Sequence, residues 1–173
     1  MSTTTPENPA EFLEAGAYLS GNYGPVADEV TAFDLPVVGD LPADLAGRYV
    51  RNGPNPVAPD QLDPATHHWF IGDGMVHGLC LRDGRAEWYR NRWVGSPAVS
   101  AALGRADVAG PNWNNSTLGP NTSVGGFAGT TWALVEAGTF PVELTYELET
   151  VARNDFYGTL PGAFTAHPKY DPR

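Results

Sequence analysis

The chain has 173 residues, enough for one ordinary domain with a buried core, and 42% hydrophobic content with five Trp, seven Tyr and seven Phe supplies that core. A formal charge of -10, from 20 acidic against 10 basic residues, argues against nucleic acid as a partner, since phosphate binding needs a basic face that displaces counterions. The single cysteine, Cys80, rules out an internal disulfide and any zinc-finger-type centre, and within "HGLCL" it reads as a buried apolar thiol.

The opening "MSTTTPENPAEF" has neither a positive n-region nor an apolar h-region, and no run approaches the roughly 18 apolar residues of a spanning helix. The expectation is a cytoplasmic, soluble chain. "NPAEFLEAGAYL" suggests a short amphipathic turn or helix with Phe12, Leu13 and Leu19 apolar, and no long helical period follows it. The rest reads as β: "GRYVRNG", "THHWFIGDGMVHGLCLRDGRAEWYRNRWV", "TSVGGFAGTTWALVE" and "TYELETVARNDFYG" are short alternating or apolar runs cut by Gly, Asp or Pro. The clearest hairpin is "VHGLCLRDGRAEWYR", where His77, Leu79 and Leu81 face Ala86 and Trp88 across an Asp-Gly pair suited to a type I′ turn. A second brackets "GGFAGTTWAL", with Gly126 to Gly129 turning between Ser123-Val124 and Trp132-Leu134. Residues 96–120 read as one long connection, functional or lid-like. Short strands at regular spacing fit a sandwich, barrel or propeller.

Four histidines are present: His67, His68, His77 and His167. Neighbours on a strand point to opposite faces, so His67 and His68 do not share an ion. His68 and His77 lie nine apart across Gly-Asp-Gly, but an isolated pair is weak grounds for a metal and both read as structural. "GDGM" lacks the Lys-Ser/Thr of a P-loop and the spaced carboxylates of an EF-hand. Its glycines read as permitting a bulge, with Asp73 bonding neighbouring amides. His167 precedes Pro168, which restricts its backbone to extended conformations and stiffens the segment that carries the imidazole. Such stiffness favours a ligand, although a lone His-Pro read by itself is a packing or turn residue.

The strings "YLSGNYGPVADEV", "LPADLAGRYVRNGPNP", "HHWFIGDGMVHGLCLRDGRAEWYRNRWV", "NTSVGGFAGTTWALVEAGTFPVELTYELETV" and "TAHPKYDP" change that balance. In this order and spacing they resemble the amino-terminal portion of the carotenoid cleavage oxygenase family, with its lignostilbene dioxygenases and retinal-pigment-epithelium isomerase. The resemblance runs from about Tyr18 to Arg173 and sets residues 1–17 apart as an extension.

It implies an all-β chain, the amino-terminal blades of a seven-bladed β-propeller. It also implies a ferrous iron on the propeller axis, held by four histidines, where O2 cleaves a conjugated C=C bond of a carotenoid, apocarotenoid or stilbene-like substrate. His167, in "AHPK", matches the family's first iron ligand; the other three would lie in later blades. Glu136, in "WALVEAG", matches a glutamate that orients a ligand imidazole, and the family pattern assigns it to a later histidine and not to His167. His67, His68 and His77 fall outside the ligand set. Arg51, Asn52, Arg90 and Arg92 read as scaffold, and Ile71 departs from an acidic residue common in relatives.

On this reading the chain is a catalytically silent piece of a longer enzyme, with O2 and an apolar small molecule as partners and a cytoplasmic or peripheral membrane location. About three blades with unpaired edges would make the isolated piece prone to aggregate. The competing reading is a non-catalytic β-rich module that binds an apolar ligand or nothing.

Overall fold

In the computed structural model, which describes residues 16–136 and 138–172, the strands form two four-stranded antiparallel sheets. The first contains β1 (Thr31–Leu35), β2 (Gly47–Pro54), β3 (Gly74–Arg82) and β4 (Arg85–Trp93) in the order β1-β4-β3-β2. The second is a simple meander of β5 (Ser123–Phe127), β6 (Thr130–Leu134), β7 (Val142–Leu144) and β8 (Thr150–Arg153). Two such units, rather than three, are what the described residues hold. Phe12 and Leu13 lie outside the described residues; Ala17–Leu19 forms a single 3-10 turn. No described helix is long and apolar enough to cross a membrane.

Both hairpins form where their turn residues require. Asp83 and Gly84 adopt φ of 51° and 69° between β3 and β4, the left-handed pair that a type I′ turn needs. The second turn is tighter than read: Ala128 and Gly129 make it, at φ 52° and 76°, while Gly126 stays in β5. A bulge between Cys80 and Leu81 shifts the first hairpin's register, so Trp88 pairs with Cys80 and not with Leu79. His77 and Leu79 therefore point away from the face that carries Trp88. That face packs on the second sheet: Val76, Cys80, Trp88 and Val94 meet Ala133, Val142, Leu144 and Leu148, with Val50 and Val124 at the margin. Period-two alternation puts one residue in two of each strand into this layer.

The connection 96–120 is not wholly irregular. Pro97–Leu103 forms α1, with the Ser96 hydroxyl accepting the Val99 amide at 3.1 Å, Pro97 in the first turn and Gly104 closing the helix at φ 63°. Val99 packs with Met75 and Trp93 on the outward side of the first sheet. Ser-Pro followed by Gly seven residues on was the readable signal.

"GDGM" serves close approach and not a bulge. Asp73 bonds neighbouring amides as expected: its carboxylate accepts the Val57 N–H at 3.0 Å, and its carbonyl accepts that of Asn55 at 2.6 Å.

Asn91, 1% exposed on β4, ties down the segment before β1: its Oδ1 accepts the Val30 N–H at 2.6 Å and its Nδ2 donates to the Asp28 carbonyl at 2.8 Å. Replacing it with alanine strands both backbone groups. We expect Asn91→Ala to cost about 2–3 kcal/mol in urea unfolding; a loss under about 0.5 kcal/mol would mean that these bonds are readily replaced by water.

Candidate metal-binding site

After β8 the chain folds back across the face of the second sheet that points away from the first. Aromatic rings hold it there. Phe127 stacks on Trp132 with centroids 5.7 Å apart, Phe156 meets Trp132 edge-on at 5.0 Å, and Phe164 meets Phe156 at 4.9 Å. Ala166 ends this run 1% exposed, its carbonyl taking a short hydrogen bond from the Ser123 hydroxyl at the start of β5. The next residue is His167, and the packing of its predecessors delivers it beside Glu136, two residues beyond the end of β6.

Nδ1 of His167 lies 2.9 Å from Oε1 of Glu136. The Thr165 hydroxyl donates to the second carboxylate oxygen at 3.4 Å and accepts the His167 amide at 3.2 Å. With the Ala166 amide also donating to it, the Glu136 carboxyl is held below its ordinary pKa, the His167 hydrogen bond being the largest cause. The His167 and Glu136 side chains are 66% and 57% exposed. A histidine whose Nδ1–H is given to a carboxylate keeps its Nε2 lone pair for a metal, and the carboxylate raises the basicity of that nitrogen.

Glu136 engages His167 itself, because Thr165, Ala166 and His167 present three successive donors to the carboxylate that the end of β6 places under them. The donor set fits one ligand position. Among the described residues no group of three or more His, Cys, Asp and Glu converges on a point.

The other histidines have structural surroundings. His67 and His68 lie between two turns and not on a strand: the His67 amide donates to the Asp63 carbonyl at 3.0 Å, and His68 Nδ1 accepts the Phe70 amide at 3.3 Å. The His68 ring packs near Tyr18 and Phe70. His77 is 8% exposed, with Nδ1 2.8 Å from the Tyr89 hydroxyl. Burial, and then the charge of Arg51 opposite on β2, lowers its pKa to about 4.

A folded-state value below the unfolded one means that the unfolded chain binds the proton first, so stability falls with acidification from about pH 6.5 to about pH 4. The groups around His77 are Arg51 from β2, Tyr89 from β4 and, lining the same cavity, His67. We expect up to about 3 kcal/mol to be lost across that window, and His77→Gln to flatten the curve; equal slopes for the two proteins would contradict it.

Of the scaffold residues, Arg90, Arg92 and Asn52 find partners across the structure. Arg92 Nε donates to Glu149 at 2.8 Å, and Arg90 lies 3.9 Å from the same carboxylate. Asn52 Nδ2 donates to the carbonyls of Pro120 and Ser123 at 3.0 and 3.2 Å, joining β2 to the strand that anchors Ala166. Sequence reasoning missed the hydroxyls of Ser123 and Thr165 because isolated Ser and Thr carry no pattern; only the fold brings them to "AHP".

Residues 23–173 match the family described as retinal pigment epithelial membrane protein. The chain belongs to the carotenoid cleavage oxygenase family. A carotenoid cleavage oxygenase of Mycobacterium tuberculosis is 60% identical over 157 residues, covering 90% of this chain and 31% of that protein. A carotenoid 9,10(9′,10′)-cleavage dioxygenase of Crocus sativus is 36% identical, over 90% of this chain and 33% of its own. Among solved structures, the lignostilbene dioxygenase of Pseudomonas brassicacearum superposes with a TM-score of 0.74 at 33% identity, covering 99% of this chain and 36% of that one. A mutant of the Synechocystis apocarotenoid oxygenase superposes with a TM-score of 0.69 at 25% identity, covering 86% of this chain and 34% of its own. The two sheets are thus the amino-terminal part of the β-propeller of carotenoid cleavage oxygenases, and the chain spans about a third of the length of the relatives it matches.

Proposed function

We propose that the intact protein to which these residues belong is a non-haem Fe(II)-dependent dioxygenase. It cleaves a conjugated C=C bond of a carotenoid, apocarotenoid or stilbene-like substrate, the two atoms of O2 becoming the oxygens of two carbonyl products. The observation that carries this reading is His167, whose Nδ1 is engaged by Glu136, which leaves Nε2 as the nitrogen for a metal. Support comes from the relatives named as carotenoid cleavage oxygenases and dioxygenases and from the lignostilbene dioxygenase fold.

In this reading His167 supplies one of four neutral nitrogen donors, and the remaining three lie beyond these residues. When bound, the iron supplies the activation of O2. The chain's own work is to hold the Nδ1 proton on the Glu136 side and to anchor the segment that carries the ring through the packing of Phe156, Phe164 and Ala166. One imidazole does not hold Fe(II) selectively, so residues 1–173 alone are inactive in this proposal. An apolar substrate accords with action in the cytoplasm or at a membrane surface.

The test is to load the intact protein with Fe(II) and follow O2 consumption and carbonyl products with a carotenoid, an apocarotenoid and a stilbene. One of the three should yield paired carbonyls. Iron near one per chain with no cleavage of any would overturn the assignment.

A further inference from the structure

The first sheet buries one face against the second sheet. Its other face is only half covered. Val57 and Val99 pack over Met75 and Trp93 there, but farther along the same strands Leu35, Tyr49, Leu79 and Tyr89 line an open groove of about 390 Å³, with Tyr49 67% exposed. An antiparallel sheet that faces water on one side normally turns polar residues to it. This stretch turns apolar ones, as a core surface does.

Arg51 lines the same groove, directly across from His77 in the pairing of β2 with β3. Among the described residues it is the one arginine with neither a hydrogen bond nor an ion pair. No Asp or Glu lines the groove, or the adjoining cavity that Arg51 and His77 share with His67, although the chain carries 20 acidic residues against 10 basic ones. Anything that covers the groove buries this guanidinium, and a buried cation needs a paired acceptor. The occupant is thus specified twice, by apolar contact and by negative charge.

We propose that a later sheet of the same polypeptide docks in this groove, its apolar side chains meeting Tyr49 and Leu79 and an Asp or Glu pairing with Arg51. The chain spans about a third of the length of its relatives, so an intact protein of their size has the residues to supply that layer. A second copy docking by the same face would bring another Arg51 and no acid. The proposal rests on the intact protein being longer, as its relatives are, and is independent of the iron reading.

The test uses the intact protein with the photo-cross-linker p-benzoylphenylalanine in place of Tyr49. After illumination and digestion, mass spectrometry should find this position joined to a peptide beyond residue 173 of the same molecule. A link to residues 1–15, a link to a second molecule, or no link at all would overturn the proposal. Hydroxyl-radical footprinting of the unsubstituted intact protein carries the test should the substituted one not fold. Relative to the urea-unfolded protein, Tyr49 should be protected as fully as Trp132, which is 2% exposed; oxidation at the rate of an exposed tyrosine would contradict docking. The charge is read separately. Arg51→Glu should lower the melting midpoint of the intact protein, and changing an acid of the linked peptide to Lys in that background should recover most of the loss. If no such change restores the midpoint, the pairing with Arg51 is wrong.

Discussion

Replacing His167 with alanine in the intact protein is expected to take bound iron from near one per chain to below about a tenth, and to lower C=C cleavage by roughly a thousandfold or more. The magnitude follows from what the side chain provides. A polarising metal is worth several kcal/mol of barrier, and each ~1.4 kcal/mol is tenfold in rate. Removing one nitrogen from the proposed four-nitrogen site would forfeit geometry as well as affinity. Folding should survive, because the imidazole is exposed and the burial that anchors the segment belongs to Ala166, Phe156 and Phe164. Glu136→Gln should behave as a weaker version, with iron affinity lower by about 10–100-fold. Iron content and turnover unchanged in His167→Ala would make this histidine part of the scaffold.

The second large effect concerns stability. A β-carbon placed on Gly74 would stand 1.9 Å from the carbonyl oxygen of Pro120, which is backbone with no side-chain flexibility to yield. The same carbonyl accepts the Asn52 side chain at 3.0 Å, and Gly74 itself accepts the Val94 amide at 2.7 Å, so neither partner moves without disturbing one of these bonds. We expect Gly74→Ala to cost at least about 3 kcal/mol, at the upper end of overpacking penalties. Gly126→Ala is the control. Nothing lies within 4 Å of its added carbon, and its cost should stay within about 0.5 kcal/mol. Urea midpoints for the two variants check this; equal midpoints would mean that the approach of Gly74 to Pro120 is soft.

Local chemistry decides what a sequence reveals, and this chain shows both sides. The Asp83-Gly84 turn was legible because two adjacent residues with φ above zero narrow the choice of side chains sharply. β1, "TAFDL", was not, since five residues at the edge of a sheet with Phe33 exposed carry no clean alternation. α1 hid in a stretch of mixed polarity, although its Ser-Pro start and Gly stop were present. The bulge at Cys80 is a matter of pairing register, set by the partner strand, and it moved His77 and Leu79 to the face opposite the one read. At the candidate site, His167 and Glu136 were identifiable through the resemblance carried by "AHPK" and "WALVEAG". Their contact with each other was not, because it depends on how thirteen residues after β8, ending at Ala166, fold back over Trp132.

The most direct measurement is a crystal structure of the intact protein with data collected at the iron absorption edge. Anomalous density within about 2.2 Å of the His167 Nε2, with Nδ1 turned toward Glu136, is the predicted result, an ordinary metal–imidazole distance. An iron peak coordinated by other residues, with the His167 ring turned away from it, would contradict the account.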